Sequence, residues 1–273
     1  MTQIGNIRME YVFIGGGNMG RALAAALIGK GVCLPEAILV VDPDPEARER
    51  GSALGCEVAE VIDDQVGEAP TVLLAVKPQS APGMYGQLKE FLRPEQVLVS
   101  IMAGITLEGI RAGLGHDALV RVMPNTPSQV GLGMSVYFAS PTVKEAQLEA
   151  VEALFQASGE TLAVSSEDAI DAATAVSGSG PAYVFYMAEH WLQAAVELGF
   201  TPEAAEQLVQ QTLIGATALW REQRVPPGTL RQQVTSKGGT TAAALEHFGE
   251  KNLGDLFREG IHMAYQRAKE LGK

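Results

Sequence analysis

The sequence predicts an α/β protein in two parts, and three observations carry that reading. Short unbroken apolar runs alternate with helical stretches through about residue 164. After that point the strand-like runs cease and only helical patterns follow. A chain of 273 residues is also too long for one small core. The expected parts are 1–164, a parallel sheet flanked by helices, and 165–273, all helical.

Strand candidates are Tyr11–Ile14, Ile38–Val41, 71–76, 97–101, Leu119–Met123 and 135–138. They are rich in Val and Leu without alternation, as expected of strands buried on both faces of a parallel sheet. Thr142 and Glu145 have capping-box spacing ahead of a helix running to Ser158. Ser165 and Asp168 mark the next helix start, and helices are predicted over 166–176, 182–198, 202–223 and 252–271. Thr201, Pro202 and Glu203 supply a cap, a first-turn proline and a first-turn acid. The helix over 182–198 is apolar around nearly its whole circumference, with Tyr183, Phe185, Met187, Trp191 and Val196 on different sides. Such a helix must be surrounded by protein, which a small helical domain cannot supply alone. An intertwined homodimer through this part is expected.

Net charge is −12, and both parts are acidic. No basic face is available for nucleic acid or an anionic membrane, and no apolar run is long enough to span a bilayer. Met1 to Arg8 lack the layout of a secretory leader. Cys33 and Cys56 make no disulfide framework, and no His or Cys spacing suggests a metal, so a reducing cytoplasm is expected. An acidic protein that binds an anion must use local donors, which directs attention to glycine turns.

There are two. Val12 to Ile14 lead into Gly15-Gly-Gly17-Asn18-Met19-Gly20 and then an alanine-rich helix, the G-x-G-x-x-G pattern between strand and helix. Gly15 makes the tight turn, Gly17 admits a pyrophosphate and Gly20 lets the helix approach the strand. This predicts a Rossmann-like dinucleotide-binding domain. Asp42, ending the second strand, is placed to bind the ribose hydroxyls of NAD and to repel a 2′-phosphate, unless Arg48 and Arg50 fold back to offset it. The second turn, Ser236-Lys237-Gly238-Gly239-Thr240-Thr241, opens a helix over 242–248. Paired glycines and free helix-start amides make a nest for a carboxylate or phosphate.

Four further segments join these turns: Ala75-Val-Lys77-Pro78-Gln79, Ser100 to Ile105, Arg121-Val-Met-Pro-Asn125-Thr-Pro127 and Ser177-Gly178-Ser-Gly-Pro-Ala. In this order they resemble the pyrroline-5-carboxylate reductase family, with the resemblance running from about Tyr11 to Leu271. It implies hydride transfer from NADPH or NADH to the C=N bond of a cyclic imine carboxylate, giving proline. It also implies a homodimer, or a higher oligomer, through the helical domain. By resemblance, the amides of Gly239, Thr240 and Thr241, with Ser236, hold the substrate carboxylate, and the Thr241 hydroxyl faces the ring nitrogen. Ser177 and Gly178 then line the substrate pocket. Ala75, Lys77, Pro78 and Asn125 line the cofactor cleft with Gly15, Gly17, Asn18, Met19, Gly20 and Asp42.

The chain departs from the family pattern at Lys237, where many members carry proline, and at Asp42-Pro43, where the family often has a pair suited to a 2′-phosphate. Two other readings compete. A 3-hydroxyacid dehydrogenase-like enzyme would need a helical lysine in the second part, where Lys237 lies in a loop. A dinucleotide sensor would need no carboxylate nest.

Overall fold

The computed structural model describes residues 8–272, so the leader reading of the first residues lies outside it except at Arg8. Within those residues the chain forms two compact units. One is the part through Ser179 together with the part from Ala264, and the other is Gly180–Met263.

The first unit holds eight strands: β1 Tyr11–Ile14, β2 Ile38–Val41, β3 Glu57–Ala59, β4 Thr71–Leu74, β5 Val97–Ser100, β6 Leu119–Met123, β7 Gly133–Ala139 and β8 Gly159–Ala163. Their order across one sheet is β3-β2-β1-β4-β5-β6-β7-β8. Six helices accompany them: α1 Asn18–Gly29, α2 Pro45–Ser52, α3 Ala81–Leu88, α4 Leu107–Leu114, α5 Glu145–Gln156 and α6 Glu167–Ala173. Tyr11 pairs with both Ile38 and Thr71, so β1 lies between β2 and β4. The chain therefore leaves β1 in one direction and returns on its other side. That reversal opens a crevice at the carboxyl ends of β1 and β4, where open α/β sheets bind ligands.

Alternate residues of the central strands feed two cores. Phe13, Val40, Leu73, Val99 and Val122 pack with Leu23, Leu27 and Phe155 on one face. Val12, Leu39, Val72, Leu74 and Leu98 pack with Leu88 and Ile110 on the other. Each fully buried side chain of this kind contributes about 1.5–3 kcal/mol.

Three expectations are corrected here. β7 runs antiparallel to β6, because the Thr126–Val130 turn ending at Gly131 is too short for a crossover helix. β3 and β8 were not anticipated; they are short, largely exposed edge strands with little apolar signal. The strands expected to reach residues 76 and 101 stop at Leu74 and Ser100.

Two caps also shift. The first backbone N–H of the α5 cap, that of Lys144, is accepted by Gln147, while the Thr142 hydroxyl donates to Asp117 O at 2.6 Å. Ser166, not Ser165, caps α6 by accepting from Ala169 N.

α6 continues into a π turn, Thr174–Gly178, one residue wider per turn than an α-helix. The second unit contains α7 Gly180–Glu197, α8 Pro202–Gln223, α9 Pro227–Gln233, α10 Thr240–Glu250 and most of α11 Leu253–Leu271. Thr201 caps α8 as expected, accepting from Ala204 N. α9 was not anticipated, and α10 begins two residues before the expected helix.

Within this single chain α7 is not enclosed: Ala195 is its one buried residue, and Phe185 and Tyr186 are 68% and 66% exposed. The end of α11 packs in the first unit against the loop after β5, where a Cβ on Gly104 would lie 2.6 Å from Leu271 O. Among the described residues no helix is long and apolar enough to cross a membrane.

Candidate active site

The first glycine turn sits at the crevice. Gly15 has φ +110°, and a Cβ there would lie 2.7 Å from the Ala75 carbonyl oxygen, so no other residue fits. The same closeness puts the turn beside the segment after β4, where Ala75 N donates to Ile14 O at 2.8 Å. A Cβ on Gly20 would lie 2.5 Å from Gly15 O, which is the close helix approach expected of that position. Gly17 is exposed, with nothing within 4 Å of its Cβ position. The first-turn amides of α1, beginning at Asn18 and Met19, lack intrahelical acceptors. An open backbone, free amides and the positive end of a helix together fit a dinucleotide pyrophosphate.

Asp42 lies at the end of β2, half-buried, and its carboxylate is tied to this turn. Oδ2 accepts from Gly16 N at 2.7 Å and Oδ1 from Asp44 N at 2.9 Å. Arg48 does fold back, but onto backbone. Its Nη1 donates to Asp42 O and Pro43 O, both at 2.8 Å, and its Nη2 lies 3.5 Å from Glu60. Arg50 lies 3.5 Å from Glu46 and 3.9 Å from Asp44. Neither guanidinium is left facing an unpaired anion site.

Lys77 and Pro78 follow Ala75 at the end of β4; Lys77 is exposed and Pro78 half-buried at the start of a one-turn helix. Asn125 follows β6 and is buried. Its Oδ1 accepts from Met134 N at 2.8 Å, and its Nδ2 donates to Ser177 O at 3.0 Å. Both polar atoms of the side chain expected to line the cofactor cleft are thus engaged within the protein. The same contact brings Ser177 and Gly178 of the π turn to the carboxyl end of β6.

Arg121 anchors a buried ion-pair cluster that the residue pattern left unread. It is 2% exposed within β6, and its guanidinium pairs with Asp171 at 2.6 Å and Glu167 at 3.2 Å on α6. Glu167 also accepts from Leu107 N at 2.9 Å. A charged residue inside an apolar strand was the available signal, since such a group requires a buried partner.

Elsewhere burial pushes the Cys56 thiol up to about 11 and, with help from the Glu10 charge, that of Cys33 to about 11 as well. Both thiols are therefore neutral near pH 7 and poor nucleophiles.

The second turn lies in the other unit. Gly238 has φ +72° with nothing within 4 Å of its Cβ position, and Gly239 is the N-cap of α10. The Gly239 N–H, expected to bind a carboxylate, instead donates to Ser236 O at 3.0 Å and closes the turn. The amides left at the helix start are those of Thr240, Thr241 and Ala242. Thr241 is half-buried, whereas Ser236, Lys237 and Thr240 are exposed.

The fold and these turns define a class: an oxidoreductase-type protein with a Rossmann-like dinucleotide-binding sheet followed by a helical region. Residues 167–271 match the family model described as pyrroline-5-carboxylate reductase dimerisation. Residues 10–104 match the one described as NADP oxidoreductase, coenzyme F420-dependent. The chain is 38% identical over 268 residues to a pyrroline-5-carboxylate reductase of Pseudomonas aeruginosa, covering 97% of each. It is similar to the solved structure of a pyrroline-5-carboxylate reductase from Coxiella burnetii, with TM-score 0.89, 38% identity, and 98% and 100% of the two chains covered. It is also similar to the Plasmodium falciparum pyrroline carboxylate reductase solved with NADP bound, with TM-score 0.87, 26% identity, and 98% and 99% covered. The chain belongs to the pyrroline-5-carboxylate reductase family.

Proposed function

We propose that this protein reduces 1-pyrroline-5-carboxylate to L-proline, the last step of proline biosynthesis, using NADPH or NADH. The observation that carries the reading is full-length family membership combined with two glycine turns of different chemistry, one suited to a pyrophosphate and one to a carboxylate. The reduced nicotinamide, when bound, supplies the hydride. Gly15, Gly17, Asn18, Met19 and Gly20 seat the dinucleotide on α1, and Ala75, Lys77 and Pro78 border it from the end of β4.

The amides of Thr240 and Thr241 hold the substrate carboxylate at the positive end of α10, with Ser236 and Gly239 shaping the turn. The Thr241 hydroxyl faces the ring nitrogen, accepting from its N–H while the imine is protonated and donating to the lone pair that hydride transfer leaves on nitrogen. A neutral hydroxyl suffices because the imine is basic and takes up its own proton. Ser177 and Gly178 contact the ring. Alignment of the reacting carbons supplies most of the acceleration, up to about 7–11 kcal/mol in well-oriented systems. Lys237, exposed beside the turn, adds only solvent-screened attraction.

Asp42 sets the cofactor preference toward NADH, since a 2′-phosphate would meet its carboxylate while Arg48 and Arg50 are engaged elsewhere. The exposed faces of α7 and α8, including Phe185, Ile214 and Trp220, suit a homodimer through the helical region. Free Cys33 and Cys56 suit a reducing cytoplasm.

The test is oxidation of reduced cofactor on adding 1-pyrroline-5-carboxylate, set against 1-pyrroline, which lacks the carboxylate. Loss of two charge-assisted hydrogen bonds lowers kcat/KM for 1-pyrroline by at least about a hundredfold. Equal turnover of the two imines would remove the carboxylate turn from the reaction.

A further inference from the structure

We propose that Asn125 is a positioning residue for the substrate segment, not a cofactor contact. β6 and the segment directly after it grip the helix that carries Ser177 and Gly178 at two points four residues apart in sequence. At the first, Arg121 pairs with Glu167 and Asp171 on α6. At the second, Asn125 donates to the Ser177 carbonyl within the π turn. The turn needs such a hold. Its extra residue per turn departs from the regular α-helical ladder, and π turns of this sort cluster at functional sites.

Local bonds close the rest of it: Ser177 Oγ donates to Ala173 O, Thr174 Oγ1 to Ile170 O and Ser179 N to Thr174 O. The Ser177 carbonyl is thus bound from outside the helix, by a buried amide whose other end is fixed by Met134 N. Asparagine fits this post because one planar group donates and accepts at once.

The Arg121 hold is built for geometry more than for stability. Its Nε is buried with no hydrogen-bond partner, and two carboxylates face one guanidinium. Glu167 extends the same grip to Leu107, next to the loop after β5. The clamp therefore fixes Ser177 and Gly178 relative to the carboxyl ends of β5 and β6. This inference rests on the reading that these two residues meet the imine. A displacement of about 1 Å in the reacting geometry costs on the order of a hundredfold in rate.

The experiment uses the full chain with Asn125→Asp and Asn125→Ala. Asn125→Asp keeps the acceptor for Met134 N but sets a carboxylate oxygen against the Ser177 carbonyl. Its kcat/KM for the imine falls by about a hundredfold, while the dissociation constant for NADH, read by cofactor fluorescence, stays within about threefold. Asn125→Ala, which introduces no charge, falls by about tenfold with the same unchanged cofactor binding, and it carries the test if the aspartate variant does not fold.

A cofactor dissociation constant that rises as far as kcat/KM falls would make Asn125 a cofactor contact and overturn the proposal. Wild-type kinetics in both variants would overturn it equally. Failure of the wild-type chain to oxidise cofactor with the imine would instead overturn the reductase reading itself.

Discussion

The two glycine turns use the same residue for opposite purposes. The turn at Gly15 to Gly20 is locked, with backbone within 2.7 Å of the Gly15 Cβ position and within 2.5 Å of that of Gly20. The turn at Gly238 is open, with nothing within 4 Å of the Cβ position. A Cβ on Gly239 would meet the Ser236 hydroxyl, which can rotate away, and the Ser236 backbone oxygen at 3.2 Å. The first is therefore a rigid seat, fixed by strand, helix and the Asp42 carboxylate. The second is a helix start reached through a turn that Gly239 N–H closes on Ser236 O, with open space around Gly238. A glycine fingerprint in sequence does not distinguish the two; the atoms around the missing Cβ do.

This difference is testable by adding one methyl group to each turn. Gly15→Ala should be the most damaging change, combining positive φ with a backbone clash. It should cost at least about 2 kcal/mol in urea unfolding and abolish measurable cofactor binding. Unchanged NADH fluorescence in that variant would mean the turn is not a rigid seat. Next in size is Asp42→Asn, which keeps an acceptor for Gly16 N and removes one negative charge. The ratio of kcat/KM for NADPH to that for NADH should rise by about tenfold. An unmoved ratio would place Asp42 away from the ribose. Smallest is Gly238→Ala, where only the left-handed backbone is disfavoured. A loss of about 1 kcal/mol in stability, with cofactor affinity intact, is expected there. A collapse comparable to that of Gly15→Ala would show that the second turn is locked as well.

What was legible in the sequence follows the burial of each element. The six central strands are mostly apolar and buried, Arg121 apart, so their positions could be read within a few residues. β3 and β8 lie at the sheet edges, exposed and partly polar, and carried no such pattern. The direction of β7 depended on the length of one loop, not on its own residues. Caps moved by one or two positions because Thr142 and Lys144 compete ahead of α5, and Ser165 and Ser166 ahead of α6.

At the site, the types and places of Gly15, Gly17, Gly20 and Asn125 could be read, but their partners could not. Asp42 binds a glycine amide 26 residues away, and Arg121 pairs with acids 46 and 50 residues on. Pairings at such separations are set by the sheet order, which local patterns do not contain.

The division of labour between the turns is tested most directly by Thr241→Ala, with imine turnover and NADH affinity measured on the same preparation. Loss of the hydroxyl that faces the ring nitrogen should lower kcat by about tenfold to a hundredfold and leave the NADH dissociation constant unchanged. A variant that keeps wild-type kcat, or that loses NADH binding in step with kcat, would contradict the assignment of the cofactor to the first turn and the imine to the second.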